Sequence, residues 1–297
     1  MGSITSVTDS THSTDSTDTG DTGSGPAITI RDAVADGPHG SIPIRVYAPS
    51  TGGVHPGFVW NHGGGFVGGD LDMPEADWVS RSLAARGFVV VSVFYRLAVD
   101  GVHFPVPSDD VVAAFRWVAA HAAELGIDPD RLAIGGASAG GDLTAGALLR
   151  LRDEGGPLPA RALLAYPIVH PELPPFTDEL AAAVERHSPE DPPFEPAAVR
   201  EMNLNFAGDE ATMADPYAFP GLADPTGLPP VFILNSEVDT LRASGEAFAA
   251  SLATHGVTVL SLFEPDTQHG HLNRPGEPAA RRSLERIVTW LSTPALP

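Results

Sequence analysis

The chain has 297 residues, carries a net charge of -21 and contains no cysteine and no lysine. This charge excludes nucleic acid as a partner, because the phosphates would be repelled. The absent residue types exclude disulfides, thiol nucleophiles, Schiff-base chemistry and a Walker A phosphate loop. No apolar stretch reaches the roughly 18 residues that a membrane-spanning helix needs.

The first 25 residues consist mainly of Ser, Thr, Asp and Gly. Such a segment buries too little apolar surface to offset the entropy lost on ordering. We therefore expect a disordered tail at residues 1–25 and a folded domain at residues 26–297. The tail has no basic start followed by an apolar segment, so no secretory signal is predicted and a cytoplasmic location is expected.

Strands and helices alternate along the rest of the chain. Ala27–Arg31 and Ile42–Tyr47 flank a turn at Gly40 and predict an edge hairpin. Further strands are predicted at Gly57–Trp60, Phe88–Phe94, Leu132–Ile134, Ala162–Tyr166, Val231–Leu234 and Val257–Leu262. Helices are predicted at Glu75–Arg86, Ser108–Leu125, Asp142–Arg152, Ala243–His255 and Glu277–Leu291. This order predicts one α/β domain with a mainly parallel sheet and helices on both faces.

A long segment at about residues 170–228 interrupts this alternation. It is rich in proline and charge, and only two short helices are predicted in it, near Asp178–Arg186 and Ala197–Phe206. A connection of this length is usually functional. We therefore expect it to form a cap over the carboxyl edge of the sheet, where the sites of α/β proteins lie.

A Gly-x-Ser-x-Gly pattern, Gly136 to Gly140, lies between a predicted strand and a predicted helix. This arrangement is typical of a nucleophile elbow, in which a sharp turn exposes a serine above the sheet. Small flanking residues are needed because the strand and the helix approach each other closely. Ser138 is therefore the candidate nucleophile.

Serine needs a base, an orienting acid and donors for the developing oxyanion, and the chain offers all three. His62–Phe66 reads HGGGF after a strand, which is an oxyanion-loop pattern. Asp239 follows a later strand, and His269 follows the final one, so the order is Ser, Asp, His. Glu237 is a weaker candidate for the acid and His271 for the base. A His-x-His metal pair is not favoured, because no acidic cluster lies beside it.

Several further motifs accompany these residues in a fixed order, namely Tyr95-Arg-Leu-Ala, Phe104-Pro105 leading to Asp110, Leu228-Pro-Pro, Asp239–Arg242 and His269-Gly270. Together with HGGGF and GASAGG, they resemble the hormone-sensitive-lipase-like family of α/β-hydrolases, the bacterial family IV esterases. The resemblance covers roughly residues 27–292. It implies an α/β-hydrolase fold and an enzyme that uses no cofactor.

The resemblance also implies a role for each matching position. Ser138 would be the nucleophile, His269 the general base and then acid, and Asp239 its orienting partner. The main-chain N–H groups of Gly64, Gly65 and Ala139 would form the oxyanion hole. In the same loop Gly63 would shape the turn and His62 would brace it. Asp110 would be structural, and Phe66 and His271 are the candidate pocket residues.

This chain departs from the family pattern near the expected site. Ala137 stands where an acidic residue is usual, and His271 stands where an aromatic residue is usual. Family members also carry helices before the first strand, whereas here that region is the low-complexity tail. We therefore expect a reduced helical cap and a more open site than is usual for the family.

These observations favour a serine carboxylic ester hydrolase that works through an acyl-enzyme on a small-molecule ester. Cleavage of an amide, lactam, formamide or carbamate on the same residues is the first alternative, because a fold does not select the bond. A non-catalytic ligand receptor on this fold is a second alternative, which the presence of both Ser138 and His269 disfavours. A homodimer is the candidate assembly.

Overall fold

An eight-stranded sheet lies at the centre of the computed structural model, which describes residues 27–187 and 192–293. The strands are β1 (Ile28–Ala35), β2 (Ile42–Pro49), β3 (His55–Asn61), β4 (Val89–Val93), β5 (Ile127–Ala137), β6 (Ala162–Ala165), β7 (Val231–Val238) and β8 (Val259–Gln268). They lie in the order β1-β2-β4-β3-β5-β6-β7-β8. Among these strands β2 alone runs opposite to the other seven, which confirms the mainly parallel sheet and the edge hairpin. The predicted tail lies outside the described residues.

Helices cover both faces of the sheet, as predicted. They are α1 (Pro74–Ala84), α2 (Val106–Ala120), α3 (Ala122–Leu125), α4 (Ala139–Asp153), α5 (Asp178–Val184), α6 (Pro196–Ala207), α7 (Arg242–Thr254) and α8 (Pro278–Ser292). Successive strand residues point to opposite faces. Phe58 and Trp60 therefore join the core under α1 and α8, whereas Val59 joins the core under α2, α4 and α7. In the described part of the chain, no helix is both long and apolar enough to cross a membrane.

Two predicted elements have different boundaries in the structure. The helix predicted at Ser108–Leu125 begins earlier, at Val106, because Pro107 lies in the first turn, where a helix needs no N–H donor. It also breaks at His121, whose ring nitrogen bonds the Trp117 carbonyl oxygen at 2.8 Å. Strand β8 extends beyond the predicted end to Gln268, so that the strand leads directly into His269.

The segment between β6 and β7 contains α5, α6 and two 3-10 helices, at Thr212–Ala214 and Pro220–Leu222. Helix α5 is tied to the rest of the domain by ion pairs at its two ends. Arg186 contacts Glu237 at 2.7 Å, and Glu179 contacts the largely buried Arg242 at 2.7 Å. These contacts hold the segment beside the carboxyl end of β7.

Candidate active site

Ser138 occupies the turn between the end of β5 and the start of α4. Its φ is 52°, a left-handed value that is uncommon for a residue with a side chain and that marks a strained turn. The turn is held by its N–H, which donates to the Ala165 carbonyl at 2.8 Å. A Cβ atom on Gly136 would lie 2.2 Å from the Gly140 oxygen, and one on Gly140 would lie 2.2 Å from the Asn61 oxygen. The two glycines are therefore required by close backbone packing.

Replacing Gly140 with alanine should lower the free energy of unfolding by about 2 to 3 kcal/mol, because the new methyl group meets backbone atoms that have no room to move. Urea unfolding followed by circular dichroism measures the loss. Gly52→Ala is the matched control, since no atom lies within 4 Å of its added Cβ. Equal stability of the two variants would contradict this account of the turn.

The residues predicted as nucleophile, base and acid meet at the carboxyl edge of the sheet. Ser138 Oγ lies 3.0 Å from His269 Nε2, and His269 Nδ1 lies 2.7 Å from Asp239 Oδ2. Asp239 is buried, and its second oxygen accepts the Leu241 N–H at 3.0 Å. These contacts fit the tautomer in which Nδ1 donates to the carboxylate and Nε2 accepts from the serine hydroxyl.

The glycine loop lies beside Ser138 and lines the same cavity. Gly64 has φ 123° and Gly65 has φ 61°, which glycine tolerates best. Within the described residues, no hydrogen bond uses the N–H groups of Gly64, Gly65 or Ala139 as donors. The N–H of Gly63 is engaged, since it donates to Glu75 Oε1 at 2.6 Å. This N–H is therefore not available to an oxyanion, and a loop-shaping role for Gly63 stays a prediction.

His62 and Asp110 lie behind the site, where a structural role was predicted for each. The His62 ring stacks on Tyr95 with a centroid distance of 4.4 Å, and its Nδ1 bonds the Gly63 carbonyl at 2.7 Å. Burial lowers the pKa of His62. The buried Asp110 accepts from the Arg96 main chain and guanidinium. Both residues thus support loops rather than face the cavity.

A cavity of about 440 Å³ opens above Ser138 and His269. Its wall combines the glycine loop with side chains from several other elements, namely Met73, Glu75, Ala137, Tyr166, Phe194, Met202, Leu241, Asn273 and Arg274. Phe194 and Met202 come from the segment between β6 and β7, and the Phe194 ring stands edge-on to His269 at 5.1 Å. The segment predicted as a cap therefore supplies part of the cavity wall.

The prediction that Phe66 and His271 line the pocket was wrong. Phe66 has φ 66°, and its fully buried ring stacks on Phe206 of α6 at 4.0 Å, away from the cavity. His271 is also fully buried, and its two ring nitrogens bond Ser236 Oγ and Ser283 Oγ, each at 2.8 Å. Burial lowers its pKa to about 3, so a neutral His271 is part of the packing.

The weaker candidate for the acid, Glu237, lies away from the histidine. One of its oxygens pairs with Arg186 and the other accepts the N–H of Asp266, at 2.7 Å each. Asp266 has φ 54°, so this contact supports a strained turn shortly before His269. Glu237 thus supports the end of β8, and Asp239 is the carboxylate that contacts His269.

Glu75 is the residue of the site that sequence reasoning missed. Its carboxyl group is fully buried beside the glycine loop and accepts from Gly63 N and from Trp60 Nε1, the latter at 2.9 Å. Burial raises its pKa to about 7, against the opposing effect of these two hydrogen bonds. A sequence signal existed, because Pro74-Glu75 places a carboxyl group in the first turn of a helix that follows the glycine loop.

The fold and this arrangement of side chains define an α/β-hydrolase. The sequence pattern of a family with the alpha/beta hydrolase fold matches residues 58–273. The chain belongs to this family, which is the hormone-sensitive-lipase-like group that the motifs indicate.

Individual relatives are similar over most of the chain. Carboxylesterase NlhH from Mycobacterium tuberculosis is 39% identical over 235 residues, which are 78% of this chain and 72% of the relative. The esterase from Pyrobaculum calidifontis superposes with a TM-score of 0.81 at 34% identity, over 89% of this chain and 85% of that structure. The carboxylesterase EstE1, cloned from a metagenomic library, superposes with a TM-score of 0.80 at 32% identity, over 92% and 91%.

Proposed function

We propose that this carboxylesterase-type hydrolase cleaves small carboxylic esters through an acyl-enzyme on Ser138. The observation that carries the proposal is the continuous hydrogen-bonded row from Ser138 through His269 to Asp239, beside three N–H groups that bond no described residue. The relatives named as carboxylesterases support the same bond type.

In this proposal each chemical step involves a particular atom of the site. His269 Nε2 takes the proton of the Ser138 hydroxyl as Oγ attacks the ester carbonyl, and the resulting imidazolium is stabilised by Asp239. The N–H groups of Gly64, Gly65 and Ala139 receive the oxyanion, with the amino-terminal end of α4 adding its dipole. His269 then gives the proton to the departing alcohol. A water molecule activated by the same nitrogen releases the acid.

The cavity supports a small substrate rather than a polymer. Its volume of about 440 Å³ lies within the range of pockets that hold small molecules. Most of its wall is apolar, and Tyr166, Phe194, Met202 and Leu241 supply the larger surfaces. An acyl or alcohol group that fills this space would exclude water from the reacting carbonyl, which strengthens the hydrogen bonds to the oxyanion.

A fluorophosphonate probe should attach to Ser138 with a stoichiometry of about one per chain, because the activated serine attacks phosphorus as it attacks a carbonyl. Mass spectrometry locates the adduct. Ser138→Ala should take up no probe, whereas Ser80→Ala, which removes a buried hydroxyl that bonds only Ala76 within α1, should label like the unaltered chain. Labelling of Ser138→Ala to the same extent would refute the proposal.

The choice of bond is tested with matched substrates. We expect p-nitrophenyl acetate to be hydrolysed at least about 100-fold faster than p-nitroacetanilide, since the amide leaving group is poorer. Faster cleavage of the anilide would favour the amidase alternative on the same residues.

A further inference from the structure

The carboxyl group of Glu75 connects the parts of the site that have to be aligned. We propose that Glu75 is a positioning residue that fixes the glycine loop, so that the N–H groups of Gly64 and Gly65 face the developing oxyanion. The inference rests on the proposed function, since it assigns those N–H groups to an oxyanion.

Both carboxyl oxygens of Glu75 are held in place. Oε1 accepts from Gly63 N at 2.6 Å, and Oε2 accepts from Trp60 Nε1 at 2.9 Å. Trp60 is fully buried in β3 and has no freedom to move. The carboxyl group therefore links Trp60 of β3 directly to Gly63 of the loop, two residues that the main chain connects through Asn61 and His62.

Other contacts hold carbonyl groups of the loop, whereas Glu75 holds the Gly63 N–H. The Gly63 carbonyl bonds His62 Nδ1 at 2.7 Å. The Gly64 carbonyl accepts from Gly68 N at 2.9 Å, which closes the far side of the turn. Glycines rotate freely when they are not held, and both Gly64 and Gly65 have positive φ values. Loss of the contact to Glu75 would leave the buried Gly63 N–H without a partner, which costs free energy. The loop would lower this cost by rotating the following peptides, so that the Gly64 and Gly65 N–H groups would change direction.

The main chain of Glu75 also contacts the loop that carries the base. Its N–H donates to Asn273 Oδ1 at 3.2 Å, and the Asn273 N–H donates to the Gly270 carbonyl at 2.8 Å. Gly270 directly follows His269. One residue thus holds the oxyanion loop with its side chain and the histidine loop with its main chain, which aligns the two halves of the site.

Replacing Glu75 with alanine should lower kcat about 10- to 100-fold and change KM less than about twofold, because the oxyanion contact forms only in the transition state. A trifluoromethyl ketone, which forms a tetrahedral adduct on the serine, should lose affinity by the same factor as kcat/KM. Glu75→Gln should recover kcat to within about fivefold, since the amide oxygen still accepts from Gly63 while its nitrogen opposes the Trp60 donor.

Two controls separate positioning from loss of folding. The rates are normalised to the fraction of chains that a fluorophosphonate labels. Val79→Ala truncates a buried core residue on the same helix and should lose stability with kcat unchanged. A normalised kcat and ketone affinity of Glu75→Ala equal to those of the unaltered chain would overturn the inference.

Asn273→Ala provides a second test that leaves the buried carboxyl group in place. Glu75→Ala keeps the main-chain N–H that Asn273 Oδ1 accepts, so the two substitutions remove separate contacts and their losses in kcat should add in the double variant. An Asn273→Ala variant with unchanged kcat would contradict the link between the loops. Full turnover by Ser138→Ala would overturn the proposed function itself. An inactive Ser138→Ala together with unaffected Glu75 variants would overturn only this inference.

Discussion

Replacing Ser138 or His269 with alanine should each lower kcat by about 10⁶-fold, and replacing both should lower it no further. In the proposed mechanism one proton passes between Ser138 Oγ and His269 Nε2, which lie 3.0 Å apart. Loss of either side chain therefore removes the same step. Hydrolysis of p-nitrophenyl acetate, with each variant checked for folding by circular dichroism, measures the effect. Losses that multiply in the double variant would show that the two residues act independently.

The carboxylate should matter less than the base it orients. Asp239→Asn should lower kcat about 10⁴-fold, because an amide at 2.7 Å from His269 Nδ1 favours the wrong tautomer. Glu237→Gln is the informative comparison, since Glu237 was the competing acid in the sequence. A larger loss in Glu237→Gln than in Asp239→Asn would reverse the assignment of the acid.

Acid should unfold the protein, and two histidines, the buried His271 and the partly buried His170, should contribute much of the effect. Burial lowers the pKa of His271 to about 3 and that of His170 to about 4. The unfolded chain binds these protons below about pH 6.5, whereas the folded chain does not, so stability is lost as the pH falls below that value. Each histidine should reduce the free energy of unfolding by about 1.4 kcal/mol per pH unit, or about 5 kcal/mol together at pH 4.5.

The contribution of His271 is measured from the pH dependence of the free energy of unfolding rather than from its value at one pH. Urea unfolding between pH 4.5 and 6.5 should show a slope smaller by about 1.4 kcal/mol per pH unit in His271→Phe. The groups that face His271 strengthen the expectation, because His269, Arg274 and Arg286 oppose a positive charge, and Ser236 and Ser283 are neutral. An unchanged slope would show that His271 is not the titrating group.

The meeting of Ser138, His269 and Asp239 could be predicted because each residue lies in a short-range pattern. Ser138 lies in a turn whose glycines are required by contacts within a few residues and one neighbouring strand. Asp239 and His269 each follow a strand that the apolar pattern identifies. Because the carboxyl ends of parallel strands meet at one edge, their convergence follows from the chain order.

The remaining parts of the site depend on contacts that local patterns do not contain. His271 is turned inward by the short 3-10 helix at His271–Asn273, toward two serines that lie 35 and 12 residues away in the chain. Phe66 turns toward α6, a helix of the segment that was expected to form the cap. In both cases a side chain was assigned to the pocket by its place in a motif, whereas backbone direction decides where it points.

Strand β8 shows a related limit. Glu264-Pro265-Asp266 has the composition of a turn, yet the strand continues through it, and Asp266 adopts a positive φ that the Glu237 side chain supports. The buried carboxyl of Glu264, paired with Arg282 and Arg286 of α8, holds the same stretch from the other side. These contacts with Glu237 and α8 hold residues 264–266 in the strand, although their composition favours a turn.

The three N–H groups beside Ser138 that bond no described residue belong to the main chain, and this has a consequence for the evolution of the protein. Substitutions alter side chains but leave Gly64, Gly65 and Ala139 with the same N–H groups, provided that the turns survive. Substitutions in the cavity wall should therefore leave the reaction itself unchanged. Phe194 and Met202 belong to a separate segment, and substitutions there leave these N–H groups in place. Homologues of this protein should therefore differ in substrate far more often than in the type of reaction.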